Sequence, residues 1–152
     1  MRQKPALTNS DAHKMMAACI AEAQKNKWNV SIAIVDDSGA VILLERMDGC
    51  GAISSDVAVK KAQTSALTKR PSKFFEDRVK ERPAFVTFPT PGVLFQGGLP
   101  LMHQGECVGA IGVSGVQSHE DEQVAKAGAD STNPDAVKRH RPQGGATATG
   151  AI

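Results

Sequence analysis

The chain has 152 residues, 41% of them hydrophobic and 22% charged, a length and balance suited to one soluble domain around a single core. Eighteen Lys and Arg against sixteen Asp and Glu leave a net charge of +2, and five Phe, one Trp and no Tyr leave few aromatic faces, which together exclude an electrostatic or base-stacking nucleic-acid binder. No apolar run is long enough to span a membrane, "MRQKPALTNSDAHK" lacks the centre of a secretory signal, and Cys19, Cys50 and Cys107 form no CxxC pair, so a reduced, cytoplasmic setting is expected.

Thr8 to Asp11 has the form of a capping box, with Asp in place of the usual Glu. Ala12, Met15, Met16, Cys19, Ile20 and Ala23 then recur at helical spacing and predict a core-facing helix, with Cys19 an inert thiol. Two apolar runs, Val30–Val35 and Val41–Leu44, flank "DDSG", a hairpin signal in which Gly39 supplies the positive φ of the turn. In the second strand Ile42, Leu44 and Arg46 share a face, so Arg46 leaves the sheet beside two apolar residues. A second helix, about Ile53 to Thr68, carries a small-residue stripe (Ala58, Ala62, Ser65, Ala66) suited to close packing on a sheet. "SKFFEDRVKE" predicts a short amphipathic segment anchored by Phe74 and Phe75 and ended by Pro83, and Thr87–Gly92 a loop.

Short strands are expected at Val93–Phe95 and Leu99–Met102, followed by a turn at "HQGE" and a long apolar strand, "CVGAIGVSG", buried on both faces. Ser118 and an acidic first turn (Glu120, Asp121, Glu122) open a last helix. From Ser131 the chain turns polar and rich in Gly, Ala and Thr, which gives one domain over 1–130 and a flexible or partner-dependent tail over 131–152. The order of elements implies an α/β protein of the α+β kind, an antiparallel five-stranded sheet flanked by helices. Gly109, Gly112 and Gly115 strip a strand of side chains, as either close helix packing or a ligand reaching the backbone would require.

The segments "VDDSGAVILLERMDG", "SSDVAVKKAQTSALT", "GGLPL" and "CVGAIGVSGVQSHEDEQVAKAG", in that order over roughly residues 8 to 130, resemble the GlcG/HbpS-like family, also called the haem-degrading domain. The resemblance implies a profilin-like three-layer α/β/α sandwich, a homo-oligomer and a small-molecule ligand, which in some members is haem; other members are encoded beside catabolic enzymes. It places the family's charged cluster on Arg46, Asp48 and Lys61, its Gly-Gly-Pro loop on Gly97, Gly98 and Pro100, and the end of its glycine strand on Ser114 and Gly115. Unlike the family's secreted haem sensor, this sequence shows no secretory signal and no tyrosine that could ligate haem.

Arg46 offers a planar fork that grips a carboxylate in two bonds, and Lys61 adds a point charge or, with its pKa lowered by Arg46, a general base. The expected occupant is haem or another carboxylate-bearing ligand between Arg46, Asp48, Lys61 and the Gly97–Pro100 loop; a purely structural ion network uses the same residues. The alternative is a cofactor-free lyase or isomerase of organic-acid or aromatic catabolism, with Arg46 orienting the carboxylate and Lys61 or Asp48 moving a proton. No metal site is expected: His103 and Glu106 sit on a turn, and His13 and His119 stand alone. Covalent c-type haem is excluded without CxxCH, and a phosphate loop without GxxxxGK[ST] or GxGxxG. Nucleic acid and membrane are not expected partners.

Overall fold

In the computed structural model, which describes residues 1–132, the first helix (α1, Asn9–Lys25) begins at the capping box. The Thr8 hydroxyl accepts from the Asp11 N–H at 3.1 Å, and the Asp11 carboxylate accepts from the Thr8 N–H at 2.9 Å, so two orphan donors are satisfied reciprocally. The hairpin follows as β1 (Ser31–Asp36) and β2 (Val41–Arg46). Asp36 closes its turn by accepting from the N–H groups of Ser38 and Ala40 at 2.8 and 3.0 Å, with Gly39 at φ 84°. Then come α2 (Ser54–Thr68), α3 (Ser72–Glu81), a 3-10 turn at Pro83–Thr87, β3 (Gly98–His103), β4 (Glu106–Ser114) and α4 (Ser118–Ser131). No helix among the described residues is long and apolar enough to cross a membrane.

The sheet is antiparallel with four strands in the order β2-β1-β4-β3, not the five expected. The missing strand is Val93–Phe95. Pro89 and Pro91 precede it and bring no N–H to a ladder. Its backbone is engaged by a helix instead: Thr64 Oγ1 donates to the Val93 carbonyl at 2.8 Å. The segment therefore crosses α2 and turns at Gly97 (φ 132°) before β3 begins.

The pleat sends two different surfaces to the two sides. Ile32, Ile34, Ile111 and Val113 meet Met15, Met16 and Cys19 of α1 and Val124 and Ala125 of α4, all buried. On the other side Ala33, Val35 and Ala110 meet Ala58, Ala62 and Ala66 of α2. Helices thus cover both faces, in three layers. Gly112 of β4 and Gly98 of β3 owe their place to α2: a Cβ on Gly112 would lie 2.0 Å from the Ala58 carbonyl, and one on Gly98 2.3 Å from the Lys61 carbonyl, whereas one on Gly109 would lie 2.2 Å from the Val35 carbonyl of β1. Backbone, rather than a ligand, occupies each of these spaces. Gly128 does the same between the outer helices, where a Cβ would lie 2.4 Å from Cys19 Sγ; burial pushes the Cys19 thiol up to about 12. The 131–152 tail expected from composition falls, from residue 133 on, outside the described residues.

Candidate functional site

The sequence-expected residues gather toward one end of the sheet, yet not as one cluster. Register aligns Arg46 of β2 with Ser31 of β1 and Ser31 with Ser114 of β4, a row across three strands at the N-terminal end of α2. Ser31 is buried, and its hydroxyl lies 2.8 Å from that of Ser54, which itself donates to the Gly51 carbonyl at 2.5 Å. With Ser54 so committed, Ser31 and the Cys50 thiol, 2.9 Å away, are the donors to it. Gly115 ends the row at φ 147°, where a Cβ would meet the Asn29 carbonyl at 2.7 Å and Cys50 Sγ at 2.9 Å.

Lys61 points elsewhere. Its side chain is 1% exposed, and its ammonium donates to Asp121 at 2.9 Å and to the Val113 carbonyl at 3.0 Å. Asp121, 2% exposed, accepts from the Val116 N–H at 3.1 Å with its other oxygen. Burial pushes the Asp121 carboxyl above its ordinary value, against the pull of the adjacent ammonium. Phe95 covers the ammonium, with its ring centre 5.1 Å from Nζ, and Gly97 completes the roof: a Cβ there would come within 2.7 Å of Nζ. So the Gly97–Gly98 pair keeps the chain close over Lys61 and α2.

Arg46 and Asp48 are exposed and join no ion pair among the described residues. β1 separates β2 from β4, about 10 Å of sheet at ordinary strand spacing, so Lys61 shares no ion pair with either. Pro100 lies on the edge strand and lines a cleft of ≈ 520 Å³ with Leu7, Asp11, Met15 and His103. Among the described residues, no three His, Cys, Asp or Glu side chains stand close enough to hold a metal ion. Asp121, sixty residues from Lys61, carries no sequence mark of the pairing. One signal was available: Ala58, Lys61, Ala62 and Ser65 lie at i, i+3, i+4 and i+7, which puts the lysine on the buried stripe.

A four-stranded antiparallel sheet held between α2 on one face and α1 with α4 on the other, and locked by a buried lysine-aspartate pair, defines a small α+β domain. The chain belongs to the family described as haem degrading protein HbpS-like, whose model matches residues 7–130. It is 45% identical over 115 residues to protein GlcG of Escherichia coli, which spans 75% of this chain and 85% of that one. It is 30% identical over 125 residues to the corrinoid adenosyltransferase PduO of Salmonella typhimurium, a match that takes in 80% of this chain but 37% of that longer protein. Among solved structures, a double mutant of HbpS from Streptomyces reticuli superposes with a TM-score of 0.81 at 34% identity, over 88% of this chain and 91% of that one. The PduOC:heme complex does so with a TM-score of 0.78 at 28% identity, over 85% of this chain and 96% of that one.

Proposed function

We propose that this chain binds a small carboxylate-bearing ligand, with haem the leading candidate. The site lies between Arg46 and Asp48 at the end of β2, Ser114 and Gly115 at the end of β4, and the Gly97–Pro100 loop. The observation that carries the reading is Arg46: an exposed guanidinium, without an ion-pair partner among the described residues, in a fold shared with a protein solved as a haem complex. Its fork fits a haem propionate or the carboxylate of a smaller acid. Lys61 is the second cation, and a ligand carboxylate reaches it by taking the place of Asp121. When bound, haem supplies redox chemistry; the chain's own residues grip and orient carboxylates.

The alternative, a cofactor-free lyase or isomerase acting on a small organic or aromatic acid, keeps Arg46 as the carboxylate clamp and gives the proton to Asp48 or Lys61. The buried pair bears on it directly. An ammonium 1% exposed and held by Asp121 must part from that partner before it exchanges a proton with substrate. Self-association is part of the proposal, supported by the exposed Val41 and Leu44 on the edge strand β2, and so is a reducing cytoplasmic setting, supported by three free cysteines.

A haemin titration followed at the Soret band tests the reading, on the natural chain and on Arg46→Gln, with circular dichroism to check folding. Saturation at a fixed stoichiometry, weakened about tenfold by the substitution, is expected for the loss of one charge-assisted contact. A non-saturating response, or one indifferent to Arg46, overturns haem at this site.

A further inference from the structure

The chain's five phenylalanines are not spread through its core. Four of them, Phe74, Phe75, Phe85 and Phe88, gather on α3 and the 3-10 turn, outside the three layers. Phe75 is buried and lies 4.8 Å, centre to centre, from Phe88. Phe74 meets Phe75 edge-on at 5.2 Å, and Phe85 is nearly parallel to Phe88 at 6.2 Å. These rings help form a cleft of ≈ 520 Å³ whose charged members are Arg70, Arg78 and Arg82. Arg70 and Arg78 lie over Phe74 at 4.3 and 5.0 Å, and Arg82 over Phe85 at 5.5 Å.

Two features set this cleft apart from ordinary packing. Phe88 stays 36% exposed and Leu67 47%, in a chain that buries Ile32 and Ile34 completely. Of the three arginines only Arg78 has a carboxylate partner among the described residues, the exposed Glu81 at 3.2 Å. A guanidinium laid over a ring keeps its N–H edge free, in the geometry that binds a carboxylate with two parallel hydrogen bonds. Aromatic walls accept a flat ring system, and cleft volumes of this order hold small organic molecules.

We infer that this cleft is a binding site for a flat aromatic carboxylate, its rings against the phenylalanines and its carboxylate on Arg70 and Arg82. An inorganic anion makes no use of the rings, and an aliphatic chain makes no use of the arginines. The site is separate from the one proposed above. It includes Leu67 and Thr68 at the C-terminal end of α2, whereas the Arg46 row meets the N-terminal end at Ser54, about 20 Å away along a helix of fifteen residues.

The test is calorimetric titration with 2-naphthoate, beside its uncharged analogue 2-naphthalenemethanol and the non-aromatic cyclohexanecarboxylate. Naphthoate is expected to saturate one site per chain, with each control at least about tenfold weaker, since each lacks one of the two recognised features. Arg70→Gln and Arg82→Gln should each weaken naphthoate about tenfold in chains that keep the natural circular dichroism spectrum. The inference is overturned if naphthoate does not saturate, if the uncharged analogue binds equally well, or if neither cleft substitution matters. It is also overturned if Arg46→Gln weakens naphthoate as much as Arg70→Gln, which assigns the acid to the sheet end. Sedimentation of the same variants adds a last arm: loss of assembly on substituting Arg70 or Arg82 makes the cleft a contact between copies and overturns the inference. Because haemin is read against Arg46 and naphthoate against Arg70 and Arg82, the two proposals fail independently.

Discussion

Removing Asp121 should cost this fold more than removing almost any other polar side chain. In Asp121→Ala, Lys61 keeps its place under Phe95 and Gly97 but loses its counter-charge, and the Val113 carbonyl at 3.0 Å is the acceptor left to it. Breaking a buried pair from one side costs roughly 3–5 kcal/mol, because the remaining charge is stranded away from water. For a domain of this length each kcal/mol moves Tm by roughly 2–4 °C, so a fall of about 10 °C is expected, with urea titration giving the free energy. The double variant Lys61→Met with Asp121→Leu should recover most of the loss, since two apolar side chains of similar volume leave no stranded charge. Lys61→Met alone should behave differently with pH. Burial already holds the Asp121 carboxyl above 3.8, and without Lys61 nothing offsets that push but the Val116 N–H. A group whose folded pKa is raised binds more protons in the folded state, so this variant should gain stability as pH falls from 7 through the folded value toward 3.8. If Asp121→Ala unfolds within about 1 kcal/mol of the natural chain, the reasoning fails: Lys61 must then be reached by water in the ligand-free chain.

Gly112→Ala should destabilise by roughly 3 kcal/mol or more, because its Cβ would stand 2.0 Å from the Ala58 carbonyl and 2.5 Å from the Ala62 nitrogen, backbone atoms that move only with the whole helix. Gly51→Ala is the matched control: nothing lies within 4 Å of that position, and urea titration should find it neutral or stabilised by about 0.4–1 kcal/mol through the unfolded chain. Thr8→Ala should cost about 1 kcal/mol by opening the capping box of α1, read as a lower Tm and faster amide exchange in the first turn. The hydrogen bonds that Asp11 accepts from the backbone and hydroxyl of Thr8 hold its carboxyl below 3.8, and those from Ser38 and Ala40 do the same for Asp36. Carboxyl carbon shifts should therefore titrate below that value at both positions, and the stability they contribute should be present above it and lost as pH falls through the folded pKa.

Much of this architecture was legible in the sequence because its signals are local. The capping box, the periodicity of α1, the Asp36–Gly39 turn and the small-residue stripe of α2 each specify their element within a few neighbouring residues. Val93–Phe95 has the look of a strand, but an apolar triplet cannot declare its partner, and here a threonine on α2 supplies it. The β4 glycines announced a close approach without saying to what, and Gly112 answers with the backbone of α2. The charged residues were the least legible. Arg46, Asp48 and Lys61 appear within sixteen positions of one another and invite a single pocket, yet Lys61 turns through the layer to Asp121, a residue that in sequence does no more than start a helix. Phe74 and Phe75 read as anchors, but the contribution of Phe85 and Phe88 to the same aromatic group depends on how the 3-10 turn folds back.

The packing of α1 against α4 carries a consequence for how the chain comes into being. Among the described elements α1 leaves the ribosome well before the α4 that covers it, so the methionines and cysteine of α1 have no α4 to shelter them until residues near Gly128 emerge. Synthesis at about 5–20 residues per second leaves that face bare for several seconds or longer. Nascent chains arrested before Ser118 should accordingly bind chaperones and remain sensitive to protease, and release from both should coincide with the appearance of α4.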